Sequence, residues 1–176
     1  MHTRPSLIAC ILLLCGTAAW AQDPAATHSM ADLAGLKKLL EVLGYAPEMK
    51  KTGDTEYLQF ELKHSSGETR NHLVGLDPRA STIYLMGGGF SWAPDPKKAS
   101  NEWFRKLLKY NHSLAPNYIF LNDFDVIGLT TIIGNVDVSA EKLKTKIKDH
   151  LTTFDEKLVP LVKELPGAEK NPTDPK

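Results

Sequence analysis

The chain has 176 residues, of which 42% are hydrophobic and 24% are charged, which is the composition of an ordinary globular protein. Lysine and arginine together number 21, as do aspartate and glutamate, so the formal net charge is zero. This balance argues against a dedicated nucleic-acid binder, whose phosphate contacts require a surplus of basic residues.

The N-terminus has the pattern of a secretory signal peptide. Arg4 precedes an apolar run from Leu7 to Cys15 that is too short to span a bilayer. Small side chains at Ala19 and Ala21 then predict cleavage after residue 21. We therefore expect an exported protein, periplasmic or secreted, with no stable membrane span after cleavage. A retained membrane anchor is the alternative.

Removal of the signal, residues 1–21, also removes both cysteines, Cys10 and Cys15. The mature chain is then expected to lack disulfides, thiolate metal sites and a cysteine nucleophile. Residues 22–29 and the proline-rich residues 166–176 are predicted to be disordered, because neither segment can bury apolar surface. Residues 30–165 are long enough for one domain with its own core.

Apolar periodicity predicts the element order α-β-β-β-α-β-β-α between these ends. Leucines at helical spacing from Leu33 predict a first helix that stops at Gly44. Alternation over residues 57–63 begins a three-stranded meander whose last strand covers residues 82–86. A segment rich in glycine and proline, residues 87–96, leads into a helix starting near Asp95. A hairpin formed by residues 118–121 and 126–133 follows.

The last helix has the most regular pattern in the chain. Ser139 is its predicted N-cap, and an apolar stripe runs from Leu143 to Leu165. Pro160 lies inside this stripe and predicts a kink or break near residues 156–159. The whole pattern predicts an α+β fold in which helices pack on an antiparallel five-stranded sheet.

These residues resemble the type III secretion chaperone-like fold and its YbjN-like relatives. The likeness spans residues 30–155 and comprises the leucine-rich helix ending in Gly44-Tyr45, the meander, the segment Trp103 to Pro116, the aromatic strand Tyr118 to Leu121, and Asn135 ahead of the last helix. The resemblance implies a small, often dimeric, non-catalytic module that binds other polypeptides through apolar patches. We expect an exported relative, because secretion chaperones are cytoplasmic and typically acidic.

The residues that could support catalysis or metal binding form no recognised motif. His64 and His72 flank one hairpin and could meet across it as zinc ligands, but exposed strand histidines are the simpler interpretation. His150 is expected at the boundary of the apolar stripe. No cofactor, metal site or catalytic residue is predicted, and the protein is not expected to be an enzyme. An undetected hydrolase remains an alternative, because triad members need not be close in sequence.

The strongest functional prediction concerns the second face of the sheet. The expected inward residues of the meander are Leu58, Phe60, Leu62, Ile83 and Leu85. If they point towards the helices, the opposite face carries a partly apolar platform. Its predicted contacts for a polypeptide partner, with the nearby loop, are Tyr57, Tyr84, Met86, Phe90 and Trp92. A homodimer is also expected, with Trp103 as a contact between copies. The alternatives are an ordinary surface and a pocket for a small apolar ligand between the sheet and the loop that carries Phe90 and Trp92.

Overall fold

The computed structural model describes residues 30–77, 79–87, 100–121 and 126–164. Its elements are α1 (Leu33–Val42), β1 (Glu48–Thr52), β2 (Thr55–Lys63), β3 (Thr69–Asp77), β4 (Thr82–Gly87), α2 (Asn101–Leu114), β5 (Asn117–Leu121), β6 (Ile127–Gly134), α3 (Ala140–Thr153), a π-helical turn (Phe154–Leu158) and α4 (Val159–Lys163). No helix among these residues is long and apolar enough to cross a membrane.

The strands form a six-stranded antiparallel sheet in the order β1-β2-β3-β4-β6-β5. The α+β class agrees with the prediction, but the five-stranded sheet and the predicted element order are wrong. The predicted element order lacks β1. This strand pairs with β2 through a two-residue turn between Thr52 and Thr55. Gly53 occupies the first central position of that turn with a φ of 58°, which suits glycine.

β1 escaped prediction because it is an edge strand that buries almost nothing. Its sequence is EMKKT, and its residues are exposed except for the half-buried Lys50. Both faces of this strand are exposed to solvent, so its residues need not alternate between apolar and polar, and the period-two signal is missing. The Gly53-Asp54 pair, a common hairpin turn, was the signal that could have revealed it.

The helices begin at side-chain caps. Asp32, Ser100 and Ser139 accept hydrogen bonds from backbone N–H groups in the first turns of α1, α2 and α3 respectively. The cap at Ser139 was predicted. The predicted helix start at Asp95 lies outside the described residues, and α2 as described begins after Ser100.

The predicted kink in the last helix takes the form of the π-helical turn. The backbone N–H of Val159 donates to the carbonyl of Phe154, five residues earlier. Pro160 has no N–H to donate and crowds the preceding turn, so an ordinary α-helical ladder cannot run through this point. The turn redirects the chain, and Phe154, Leu158 and Leu161 are all buried.

The helices cover one face of the sheet, the inner face, and form two apolar cores on it. The first core joins α1 and the start of α3 to β2, β3, β4 and the end of β6; Leu36, Leu58, Leu85 and Ile147 are typical members. The second core joins α2, the π turn and α4 to β5 and the start of β6, around Trp103, Ile119, Leu129 and Phe154. As predicted, Leu58, Phe60, Leu62, Ile83 and Leu85 point towards the helices.

Candidate functional site

The face of the sheet opposite the helices carries a strip of large apolar side chains that only Thr130 interrupts. Register places Leu73, Met86, Thr130 and Tyr118 in one row across four strands. Tyr84 and Ile132 pair in the next row, and Phe120 lies on the same face of β5. We call the following residues the outer strip: Leu73, Tyr84, Met86, Tyr118, Phe120 and Ile132. All are half-buried or exposed, and none is charged.

Two aromatic rings of the outer strip lie on glycines. A β-carbon at Gly75 would come within 2.1 Å of the Tyr84 ring, and one at Gly128 within 2.5 Å of the Phe120 ring. Each ring therefore occupies the space of the side chain that its cross-strand neighbour lacks. Because the rings pack against the backbone of the neighbouring strand, they project little from the sheet.

Both edges of the sheet are protected against the addition of another strand. At the β5 edge, the Ile119 N–H donates to Asn111 Oδ1 over 2.7 Å, and Asn111 Nδ2 donates to the Ile119 carbonyl over 2.9 Å. The Asn111 amide thus occupies the backbone groups of Ile119, at the middle of the strand, that an added strand would bind. At the opposite edge, β1 carries Glu48, Lys50 and Lys51, and charged side chains of this kind discourage edge pairing.

The structure brings only part of the predicted platform together. Tyr84 and Met86 lie side by side in the outer strip. Tyr57 is on the same face, but it is two strands away from β4, and its hydroxyl lies 3.3 Å from Thr52 Oγ1. The predicted residues Phe90 and Trp92 lie outside the described residues.

The predicted dimer contact, Trp103, is a core residue. It is 6% exposed, and its Nε1 donates to the carbonyl of Leu161 over 3.2 Å. This position ties α2 to α4 and leaves no ring surface for a second copy. The neighbouring Phe104 packs edge-on against the Trp103 ring and is half-buried.

The unexpected feature of the inner face is a group of buried histidines, His64, His72 and His150, which we call the histidine cluster. Their exposures are 5%, 0% and 0%, so the predicted exposed and boundary positions are wrong. The ring of Phe154 contacts all of them, with centroid distances of 4.8 to 6.3 Å. The cluster lies between β3, β4 and β6 on one side and the end of α3 on the other.

Hydrogen bonds tie the first two histidines to the π turn. His64 Nδ1 lies 2.6 Å from Asp155 Oδ1, and the other Asp155 oxygen accepts the Ser65 N–H over 2.8 Å. The carboxylate can only accept, so Nδ1 of His64 carries a proton. When the His64 ring carries this single proton, its Nε2 accepts from Nε2 of His72 over 3.0 Å. His72 Nδ1 is left as a bare acceptor with no partner among the described residues.

The third histidine is held by a separate chain of polar groups. Thr131 donates its hydroxyl proton to Asn117 Oδ1 over 2.5 Å, and Asn117 donates in turn to Thr153. Thr131 must therefore accept from His150 Nδ1, which lies 2.7 Å away. His150 Nε2 is then the second buried acceptor that has no partner in the described part of the chain.

This environment keeps the two inner rings neutral. Burial, with the neighbouring rings of His150 and His64 and the charge of Arg70, lowers the pKa of His72 to about 2. Burial and the proximity of His64 lower the pKa of His150 to about 3. Burial acts to raise the pKa of Asp155, but hydrogen bonds from Ser65 and His64 outweigh it and hold that pKa below its usual value.

The cluster has little capacity for catalysis as it stands. A recess of about 160 Å³ opens beside His64 and Asp155, with Ser65, Arg70 and Lys163 among its lining residues. Both nitrogens of His64 are engaged inside the cluster, so neither is available as a general base for a molecule in that recess. The described residues contain no group of His, Cys, Asp or Glu side chains placed to hold a metal ion.

The approach of His64 and His72 across the hairpin agrees with the sequence, and a sequence signal for the buried position of all three histidines also exists. His64 continues the inward series of Leu58, Phe60 and Leu62, and His72 is two residues before the inward Val74. His150 is three residues after Ile147 and four before Phe154, which is inside the apolar stripe. Histidines at core positions of a periodic pattern are better interpreted as buried and hydrogen-bonded than as exposed.

Searches against models of known protein families and against curated proteins find no match to this chain. The resemblance to the type III secretion chaperone-like and YbjN-like proteins therefore rests on the sequence pattern alone and stays a prediction.

Proposed function

We propose that this protein is an exported, non-enzymatic binding module that holds a polypeptide partner against the outer strip. One observation carries the proposal: every described helix packs on the inner face of the sheet, and the outer face presents an uncharged strip of large apolar side chains. Strands of a sheet with one solvent-exposed face normally alternate apolar and polar residues. Neighbouring apolar side chains on the exposed face therefore indicate an interaction surface.

The closed edges define how such a partner would bind. Asn111 occupies the free backbone groups of Ile119 at one edge, and charged side chains line β1 at the other. Addition of a strand at either edge is therefore disfavoured. The partner we propose lies across the face of the sheet and contributes apolar side chains of its own.

Aromatic and methionine side chains suit this task. Tyr84 and Phe120 already pack against the backbone of Gly75 and Gly128, so less side-chain entropy is lost when a partner covers them. Met86 is flexible and polarisable and adapts to partners of different shape. The alternative, a small apolar ligand held between the sheet and the loop that carries Phe90 and Trp92, falls on residues outside the described part of the chain.

Selection from a random library of short peptides, displayed on phage and panned against the full chain, supplies a defined probe for this proposal. We expect the double variant M86S/I132S to bind the selected peptide at least about tenfold more weakly, because both side chains lie at the centre of the strip. Fluorescence anisotropy with the labelled peptide measures the affinity. Amide shifts of the ¹⁵N-labelled protein should map the peptide to β3, β4 and β6.

The matched control is L108S, which removes an exposed apolar side chain from α2, on the other side of the molecule. It should bind the peptide as the wild type does. Equal affinity of M86S/I132S and wild type, or peptide-induced shifts confined to the helices, would contradict the proposal. Sedimentation velocity provides a further check. If the wild type is a dimer and M86S/I132S is a monomer, the strip binds a second copy of this chain, and the proposal of a different polypeptide partner is wrong.

A further inference from the structure

The histidine cluster forms a polar layer between the two apolar cores. Along the last helix, His150 lies between Ile147 of the first core and Phe154 of the second. On the sheet, the buried Thr131 lies in the same way between Ile133 and Leu129. The segment 154–163 packs almost wholly on the second core, so its contacts can be lost while the first core stays intact.

Asp155 attaches that segment to the rest of the molecule at the cluster. Its carboxylate bonds to the His64 ring and to the Ser65 backbone, both in the turn after β2. The other charged or titratable groups around His72 are Arg70 on β3, which is ion-paired with Glu68, together with His64 and His150 on α3. The neighbouring positions on β4 and β6 are Gly87 and Thr131, which carry no charge.

From this geometry we propose that the cluster is a proton-operated latch: it holds residues 154–163 on the sheet while His72 and His150 are neutral, and releases them when these imidazoles take up protons. The outer strip takes no part in the latch. Opening of the latch exposes the inner face, and His72 and His150 thereby have a regulatory role.

The nitrogens that would receive the protons explain why the latch opens. His72 Nδ1 and His150 Nε2 have no acceptor among the described residues, and the rings are 5.2 Å apart, centre to centre. Two imidazolium ions at this distance repel each other. The positive charge of Arg70 lies on the same side but is paired with Glu68, so the repulsion between the two rings is the main force. Asp155 is already bonded to His64. Departure of the segment lets water solvate both charges, which favours the released form in mildly acidic medium.

Trp103 is a built-in reporter of release, because its indole bonds to Leu161 in α4. In the full chain carrying W20F and W92F, Trp103 is the sole tryptophan. We expect its emission to shift to longer wavelength as the pH falls from about 7.5 towards 4.5, before far-UV circular dichroism shows loss of the sheet. Coincident loss of both signals would mean global unfolding and would overturn the latch.

Non-titrating replacements test the residues. H72L and H150L should each move the midpoint of the Trp103 transition to lower pH by about one unit or more, because one proton uptake is removed. H112Q is the matched control, since His112 lies on the exposed surface of α2, and it should leave the midpoint unchanged. An unchanged midpoint in both leucine variants would refute the proposal.

The wild-type protein provides a test that does not depend on the variants folding. NMR titration of the histidine ring carbons should show His72 and His150 becoming protonated together with the Trp103 transition. Protonation of either ring while Trp103 remains in its neutral-pH environment would show that the cluster accepts charge without opening, and would rule out the latch.

Discussion

Single residues set how closely the helices approach the sheet. Gly87 lies opposite His72 on β4 and faces the helices. A β-carbon there would come within 2.6 Å of the Phe154 ring and 3.1 Å of His150 Nε2. The missing side chain is what allows the last helix to lay Phe154 and His150 against the sheet, and the histidine cluster depends on it.

The variant G87A should therefore lower the free energy of unfolding by about 2–3 kcal/mol, because a buried aromatic ring and a helix must move to admit one methyl group. Urea denaturation at neutral pH measures the change. G134A is the matched control, since a β-carbon at Gly134 meets nothing within 4 Å. We expect G134A to stay within about 0.5 kcal/mol of the wild type. Equal stability of the two variants would show that Phe154 is free to move aside.

At the scale of whole elements, the two sheet edges are protected by different devices. β1 uses charge, whereas β5 is covered by one amide from α2. The Asn111 amide also fixes the distance between α2 and β5, which are joined by the short connection at Ala115 and Pro116. The edge protection and the packing of α2 are thus one feature.

Replacement of Asn111 by alanine should remove both hydrogen bonds to Ile119 and leave the edge open. We expect a loss of about 1–3 kcal/mol in the free energy of unfolding, together with association that increases with protein concentration. Chemical denaturation and size-exclusion chromatography at several concentrations measure the two effects. S113A, which removes an exposed bond to Tyr110 on the same helix, serves as the control. A monomeric N111A variant at all concentrations would contradict the role in edge protection.

Elements that bury an apolar face could be predicted from the sequence. Elements without a buried face gave no signal and could not be predicted. The helix at Leu33, the strand at residues 57–63 and the interruption before Pro160 follow from periodicity and from the missing proline N–H. β1 has no buried face and therefore no periodic signal. Of the outer strip, only Tyr84 and Met86 were predicted, because the membership of Leu73 and Ile132 depends on strand order, which periodicity does not contain.

For the molecule as a whole, the buried histidines couple stability to pH. The pKa values of His72 and His150, about 2 and about 3, are below the value of 6.5 for an unperturbed histidine. The unfolded chain therefore binds more protons than the folded chain below about pH 6.5. The stability of the folded form falls as the pH decreases from there, and it is fully retained above this value.

The free energy of unfolding should fall as the pH decreases below 6.5. Over the first pH unit, the slope of this decrease should approach about 1.4 kcal/mol per pH unit for each histidine. Urea titrations at a series of pH values measure this slope. It should be roughly halved in H72L or H150L and unchanged in H112Q. Asp155 acts at lower pH: its pKa is lowered in the folded state, so its contribution is lost only as the carboxylate is protonated, below about pH 4. A flat profile between about pH 6.5 and 5 would contradict the neutral, buried state of the rings.

The sequence by itself determined the α+β class, the inward faces of the central strands and the position of the break in the last helix. Each of these follows from local periodicity or from the chemistry of one residue. Only the tertiary structure decided the sixth strand, the closed edges, the full outer strip and the histidine cluster. The physical reason differs between them. β1 and the Asn111 cover of the β5 edge bury no apolar face, so they leave no periodic signal. The outer strip and the cluster join residues as far apart in the chain as His64 and Asp155, and a pairing between distant segments leaves no periodic trace in either one.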